Sequence, residues 1–149
     1  MGGVDAGGGG CACAANALLK AVLASMIATR KEVVLVDLEA GVEHLGRGTA
    51  ADVDGLVVVS EPSLRSLRTA AEAARMAREL GLKRQALVLN RCPATPELPP
   101  LEGLPALAAC VPPLAGLAAR QLWDGSVLGL AEQAAVDSAC LAVEAALFT

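Results

Sequence analysis

Four short apolar runs punctuate this chain, and each ends at a polar residue or a proline. Val33-Val-Leu-Val36 stops at Asp37, Gly55-Leu-Val-Val-Val-Ser60 at Glu61, Ala86-Leu-Val-Leu89 at Asn90, and Leu107 to Val111 at Pro112. Runs of this length and β-branched content predict strands buried on both faces, as in a parallel sheet. Between and around them the apolar period changes to that of helices. Asn16 can cap a helix to about Arg30, with Leu18, Leu19, Val22, Leu23, Met26 and Ile27 on a broad apolar face. Ser63 can cap a second helix to Leu80, where Leu64, Leu67, Ala71, Ala74 and Ala77 keep helical spacing and Gly81 supplies the stop. A third helix is predicted over about Ala131 to Leu147, lining up Val136, Cys140, Val143 and Leu147. Strands alternating with helices imply βαβ units, hence an α/β fold with a parallel sheet of about four strands flanked by helices.

The segments between these elements read as loops. Met1 to Gly10 holds six glycines and no large core anchor. Pro93 to Pro105 is proline-rich, and Trp123-Asp-Gly-Ser126 reads as a turn. A length of 149 residues without internal repeats suits a single domain over 1–149, residues 1–14 forming a glycine-rich loop.

Composition narrows the class. Hydrophobic residues make up 54% and aromatics 1%, so Ala, Leu and Val must fill the core, which favours helices packed closely on a sheet. A net charge of −4 without a basic patch argues against nucleic acid or an acidic membrane surface as partner. The longest uncharged stretch, Gly103 to Ala119, is broken by Pro105, Pro112, Pro113 and Gly116, unlike a spanning helix. No positive flank marks a signal peptide at the start, so the expected location is cytoplasmic. The five cysteines fit no disulfide framework. In a reducing compartment they are buried small residues or metal ligands.

Chemistry concentrates at few positions. Asp37 ends a predicted buried strand, where parallel α/β sheets place ligands. It reads as an N-cap or salt-bridge acid, or as an acid holding a Mg²⁺-bound water at a nucleotide site. Cys11-Ala-Cys13 sets two thiols on one side of extended backbone. Two thiolates half-fill a tetrahedral Zn²⁺ site, which a second copy in a symmetric dimer would complete; free thiols are the alternative. Gly7 to Gly10 is not a phosphate-cradling loop, because Cys11 follows where Gly-Lys-Ser/Thr is required. His44, beside Glu43, reads first as a polar surface or hydrogen-bonding residue, with a metal role as the alternative. Asn90 is a turn residue or a base-recognition group at the sheet rim. Burial accounts for Cys92, Cys110 and Cys140.

Taken together, Gly-Gly-Cys11-Ala-Cys13 followed by Asn16-Ala-Leu-Leu, then Asp37-Leu-Glu-Ala-Gly-Val-Glu43-His44-Leu-Gly-Arg47-Gly, and then Val53-Asp54 to Ser63, carry a family resemblance. The chain resembles the CooC-type accessory ATPases that insert nickel into carbon monoxide dehydrogenase, relatives of the MinD/ParA group of P-loop NTPases. The resemblance implies that Asp37 is the switch-II acid associated with magnesium. It implies that Cys11 and Cys13 are a metal pair shared across a homodimer and holding Ni²⁺ or Zn²⁺. It also implies that Asn90 and the backbone near Pro112 form the adenine-recognition edge for ATP. The family's first strand, its phosphate-binding loop and its switch-I acid have no counterpart in this sequence. The expectation is therefore the remaining, C-terminal part of a P-loop NTPase fold, inactive as an ATPase by itself, with another chain as one source of the loop. Carbon monoxide dehydrogenase or a related nickel enzyme is the implied client. Two other readings stay open: a non-enzymatic metal-binding dimer retaining only the C-x-C pair, and a MinD/ParA-like partitioning ATPase fragment. The stretch from Ala139 to Thr149 lacks the Lys and Arg of a membrane-targeting tail.

Overall fold

The computed structural model describes residues 33–37, 53–126 and 129–148. Among these, three strands form one parallel sheet in the order β1-β2-β3, with β1 at Leu56–Ser60, β2 at Gln85–Leu89 and β3 at Leu107–Cys110. The long helix α1 (Leu64–Glu79) links β1 to β2. A short helix α2 (Ala115–Arg120) and a long helix α3 (Gln133–Phe148) follow β3. The α/β class and the parallel sheet read from the apolar runs are what the structure shows.

Helix α1 begins where its sequence says it should. Ser63 adopts extended backbone, and its hydroxyl accepts a hydrogen bond from the Ser66 amide at 3.2 Å, satisfying one of the orphan donors of the first turn. The helix ends at Leu80, after which Gly81 takes φ +95°, a left-handed conformation that glycine adopts without a Cβ penalty. Leu67, Ala70, Ala71, Ala74 and Ala77 are buried, whereas Leu64 is exposed although it keeps the same spacing. On the outer face Glu72, Arg75 and Glu79 form a chain of ion pairs, and the Arg75 guanidinium holds the Glu72 carboxyl below its ordinary pKa. These groups are solvated, so they add little to stability.

Small residues on α1 let it lie close to the sheet. Leu67, Ala70 and Ala74 pack with Val58, Leu87, Leu89 and Cys92 in the main core cluster. Leu98, Leu101 and Leu104, from the proline-rich loop, seal its margin. Arg78 donates to the Gly103 carbonyl and pins that loop to the helix. Gln85, at the start of β2, donates to the carbonyls of Ala74 at 2.9 Å and Leu82 at 2.7 Å, fastening the helix to the strand that follows it.

On the other side of the sheet, α3 lies against β2 and β3. Val59 of β1, the register partner of Val88, is left 62% exposed. On α3 the buried positions are Ala139 and Leu147. Cys140 is exposed, which corrects the expectation that burial explains it. Val136, Cys140, Val143 and Leu147 do share a helical period, but a helix this rich in Ala and Leu is apolar over most of its circumference. Periodicity therefore does not select the buried face.

The structure departs from the sequence reading at Val33–Val36. This run forms no strand, and Val33, Val34 and Leu35 are exposed, Leu35 to 86%. Hydrophobicity makes a run suitable for a sheet interior, but only a neighbouring strand supplies the ladder. Among the described residues the sheet has three strands rather than about four. The predicted helix from Asn16 to Arg30 lies outside the described residues. No helix among the described residues is long and apolar enough to cross a membrane.

Candidate functional site

In a parallel sheet every strand ends on the same edge, so the residues following β1, β2 and β3 meet in space although they are far apart in sequence. The Asn90 amide donates to the Ser60 carbonyl at 2.8 Å, and the Val111 amide donates to the Leu89 carbonyl at 2.8 Å. Ser60, Asn90 and Val111 thus stand side by side, with Pro112 next in line.

The turn after β2 is tightly defined. The Asn90 side-chain oxygen accepts from the Arg91 amide at 2.9 Å, and Arg91 takes φ +54°, the left-handed region that costs a non-glycine residue. Its guanidinium reaches Glu61 at 3.1 Å, spanning the turns after β2 and β1. The Cys92 amide then donates to the Val111 carbonyl at 2.8 Å. One extra residue therefore lies on the β2 side between successive bonds to Val111, a bulge at the rim, while the Asn90 amide keeps its bond to β1. Asn90 is exposed and Pro112 half-buried. With its oxygen engaged, the Asn90 carboxamide presents its Nδ2 donor. An exposed amide donor just after β2 and a proline just after β3 are groups able to meet the edge and face of a planar heterocycle.

Among the described residues, the turn from β1 into α1 does not suit a triphosphate. Where β1 turns into α1, the residues are Glu61-Pro62-Ser63. Pro62 lacks an N–H, the Ser63 amide is bonded to the Glu61 carbonyl at 2.8 Å, and the Ser63 hydroxyl already caps the helix. A carboxylate stands at its entrance. Backbone donors free to cradle phosphate oxygens are what such a site needs, and this turn withholds them.

Asp37 is exposed and follows the irregular 33–36 segment, so the structure does not place it at a strand end. Its assignment as a strand-end acid is corrected to that extent. Cys11 and Cys13 lie outside the described residues, as do Glu43 and His44. No cluster of three or more metal-ligating side chains occurs among the described residues. The structure thus brings Asn90 and Pro112 to one edge.

Known proteins give a second view of the chain. Over 91 residues, 61% of its length, it is 48% identical to the carbon monoxide dehydrogenase accessory protein CooC of Rhodospirillum rubrum. The chain resembles CooC. Over 91 residues it is also 43% identical to an uncharacterized ATP-binding protein of Methanocaldococcus jannaschii, and over 76 residues 41% identical to a second ATP-binding protein of that organism. The matches cover 35% of CooC, 35% of the first archaeal protein and 30% of the second. The chain thus spans about a third of the length of the curated relatives it matches. No protein-family model matches it, and no solved structure does so significantly. The likeness to CooC anticipated from the C-x-C and the Asp37 to Gly48 segment is therefore present at the level of sequence identity.

Proposed function

We propose that the chain is part of a CooC-type accessory ATPase that serves nickel insertion into carbon monoxide dehydrogenase. The single observation that carries this reading is its 48% identity with CooC. Two ATP-binding proteins among its relatives, and groups at Asn90 and Pro112 able to meet a flat heterocycle, support a nucleotide role. In this reading Asn90 and Pro112 hold the adenine of ATP. Asp37 is the acid associated with its Mg²⁺, and the phosphate-binding loop is contributed by polypeptide other than the described residues. Cys11 and Cys13 carry Ni²⁺ or Zn²⁺ between two copies of the chain, since two thiolates per copy make four in a homodimer.

Metal content measured alongside mass in solution tests the reading. One Ni²⁺ or Zn²⁺ ion per two chains is expected, with affinity falling below neutral pH as protons compete for the thiolates. Changing Cys11 and Cys13 together to Ser should abolish both metal binding and metal-induced dimerisation. Retention of one ion per dimer in that variant would remove the metal pair from the proposal.

A further inference from the structure

Cys92 and Cys110 are separated by a long proline-rich loop, yet the sheet brings them together. Cys110 is the last residue of β3, and Cys92 follows the turn after β2. The hydrogen bond from the Cys92 amide to the Val111 carbonyl, 2.8 Å long, joins residue 92 to the residue that follows Cys110. Cys110 packs against the core cluster that contains Cys92. The Cys92 thiol reaches the Ala94 carbonyl at 3.1 Å. A disulfide requires Cα atoms about 4.4–6.8 Å apart; Cys110 is the register partner of Leu89, and the turn that follows β2 brings Cys92 back to the residue after Cys110.

Their exposures differ in a useful way. Cys92 is 3% exposed, whereas Cys110 is half-buried and borders an open cleft of about 340 Å³ between β3 and α3, with Thr95 and Ser138 also on its walls. A small reagent can therefore meet Cys110 first, with Cys92 in position behind it.

We propose that Cys92 and Cys110 form an oxidisable pair that closes to an internal disulfide by exchange with a small-molecule disulfide. The Cys110 thiol loses its proton to solvent, and its sulfur attacks one sulfur of the reagent, forming a mixed disulfide and releasing one thiol. Cys92 then loses its proton and attacks the Cys110 sulfur, releasing the second thiol. The protein dithiol is oxidised by two electrons and the reagent is reduced to two thiols. The new bond ties the Asn90–Cys92 turn to the end of β3, the two segments that carry Asn90 and Pro112.

Peptide mapping of the full chain decides this. After incubation of the native protein with oxidised glutathione and alkylation of remaining thiols, a Cys92–Cys110 linked peptide is expected, reversible by dithiothreitol. Burial keeps Cys110 protonated at neutral pH, so the closure rate should rise about tenfold per pH unit from pH 7 to 8. In Cys92→Ser, glutathione should accumulate on Cys110; in Cys110→Ser, Cys92 should remain unmodified. Linkage that appears only in urea overturns the proposal, as does oxidation confined to Cys11, Cys13 or Cys140. The wild-type map distinguishes these outcomes even where a serine variant fails to fold.

Discussion

Arg91 reaches from the turn after β2 to Glu61 after β1, its guanidinium 3.1 Å from the carboxylate, while its own backbone sits at φ +54°. The ion pair is exposed at both ends and should contribute little. The backbone conformation is the costlier feature, roughly 1–2 kcal/mol for a residue with a Cβ. Glu61→Gln should therefore leave stability within about 0.5 kcal/mol of wild type. Arg91→Val should lose about 1–2 kcal/mol, because a β-branched residue tolerates this region worst. Arg91→Gly should stay close to wild type, relief of strain offsetting the added freedom of the unfolded chain. Urea unfolding of the three variants checks this. Equal losses in the Gly and Val variants would mean that the ion pair, and not the backbone conformation, governs stability at this turn.

Two leucines from similar apolar runs should respond in opposite ways. Leu87, in the middle of β2, is fully buried in the main cluster, and Leu87→Ala should cost about 2–5 kcal/mol through lost hydrophobic burial and the cavity left behind. Leu35 is 86% exposed, so Leu35→Gln should change stability by no more than about 0.5 kcal/mol. Denaturant midpoints measured on both variants test the contrast. A large loss in Leu35→Gln would mean that this run is packed in solution.

That contrast marks how far the amino-acid sequence carries. The runs at Leu56, Gln85 and Leu107 are strands because each has an apolar interior and a polar or proline terminus, both visible in one dimension. The Ser63 cap and the Gly81 stop are equally local, and so α1 is legible from end to end. Val33–Val36 has the same local character without a ladder, since pairing depends on a neighbour that pattern alone cannot supply. Helix α2 leaves little trace in the sequence because its residues, Ala115 to Arg120, are few and include Gly116 just after two prolines. Asn90 and Pro112 can be named from strand ends, whereas the bond that joins Cys92 to Val111, next to Cys110, emerges only from the folded turn after β2. The exposure of Cys140 is hidden by a helix apolar on nearly every side.

The Cys110 thiol should leave a signature in the pH dependence of stability. Burial, and then the neighbouring Cys92 side chain, raise its pKa above the ordinary value of 9.0. The folded chain therefore holds this proton to higher pH than the unfolded chain does. By linkage, its contribution is fully present below about pH 9 and is lost progressively as pH rises through the folded value. Urea midpoints should fall between pH 8 and 10 in the reduced wild type, and fall less in Cys110→Ser. An identical decline in both would assign the alkaline loss to other groups.

Nucleotide turnover gives the last test, and the Glu61-Pro62-Ser63 turn sets the expectation. Catalysis on a triphosphate relies on backbone N–H groups and a lysine that hold the phosphates before any acid or water acts. At this turn one amide is missing, one is bonded internally, and the hydroxyl is committed to its own helix. Nor does the sequence contain a Gly-Lys-Ser or Gly-Lys-Thr run elsewhere. The chain by itself should therefore show no Mg²⁺-dependent ATP hydrolysis above background in a phosphate-release assay. Binding of a fluorescent adenine nucleotide should be weak, insensitive to Mg²⁺, and reduced in Asn90→Ala, because the proposal assigns the base rim to Asn90 and Pro112. Mg²⁺-dependent turnover that disappears in Asp37→Ala would show instead that this chain holds the phosphates after all.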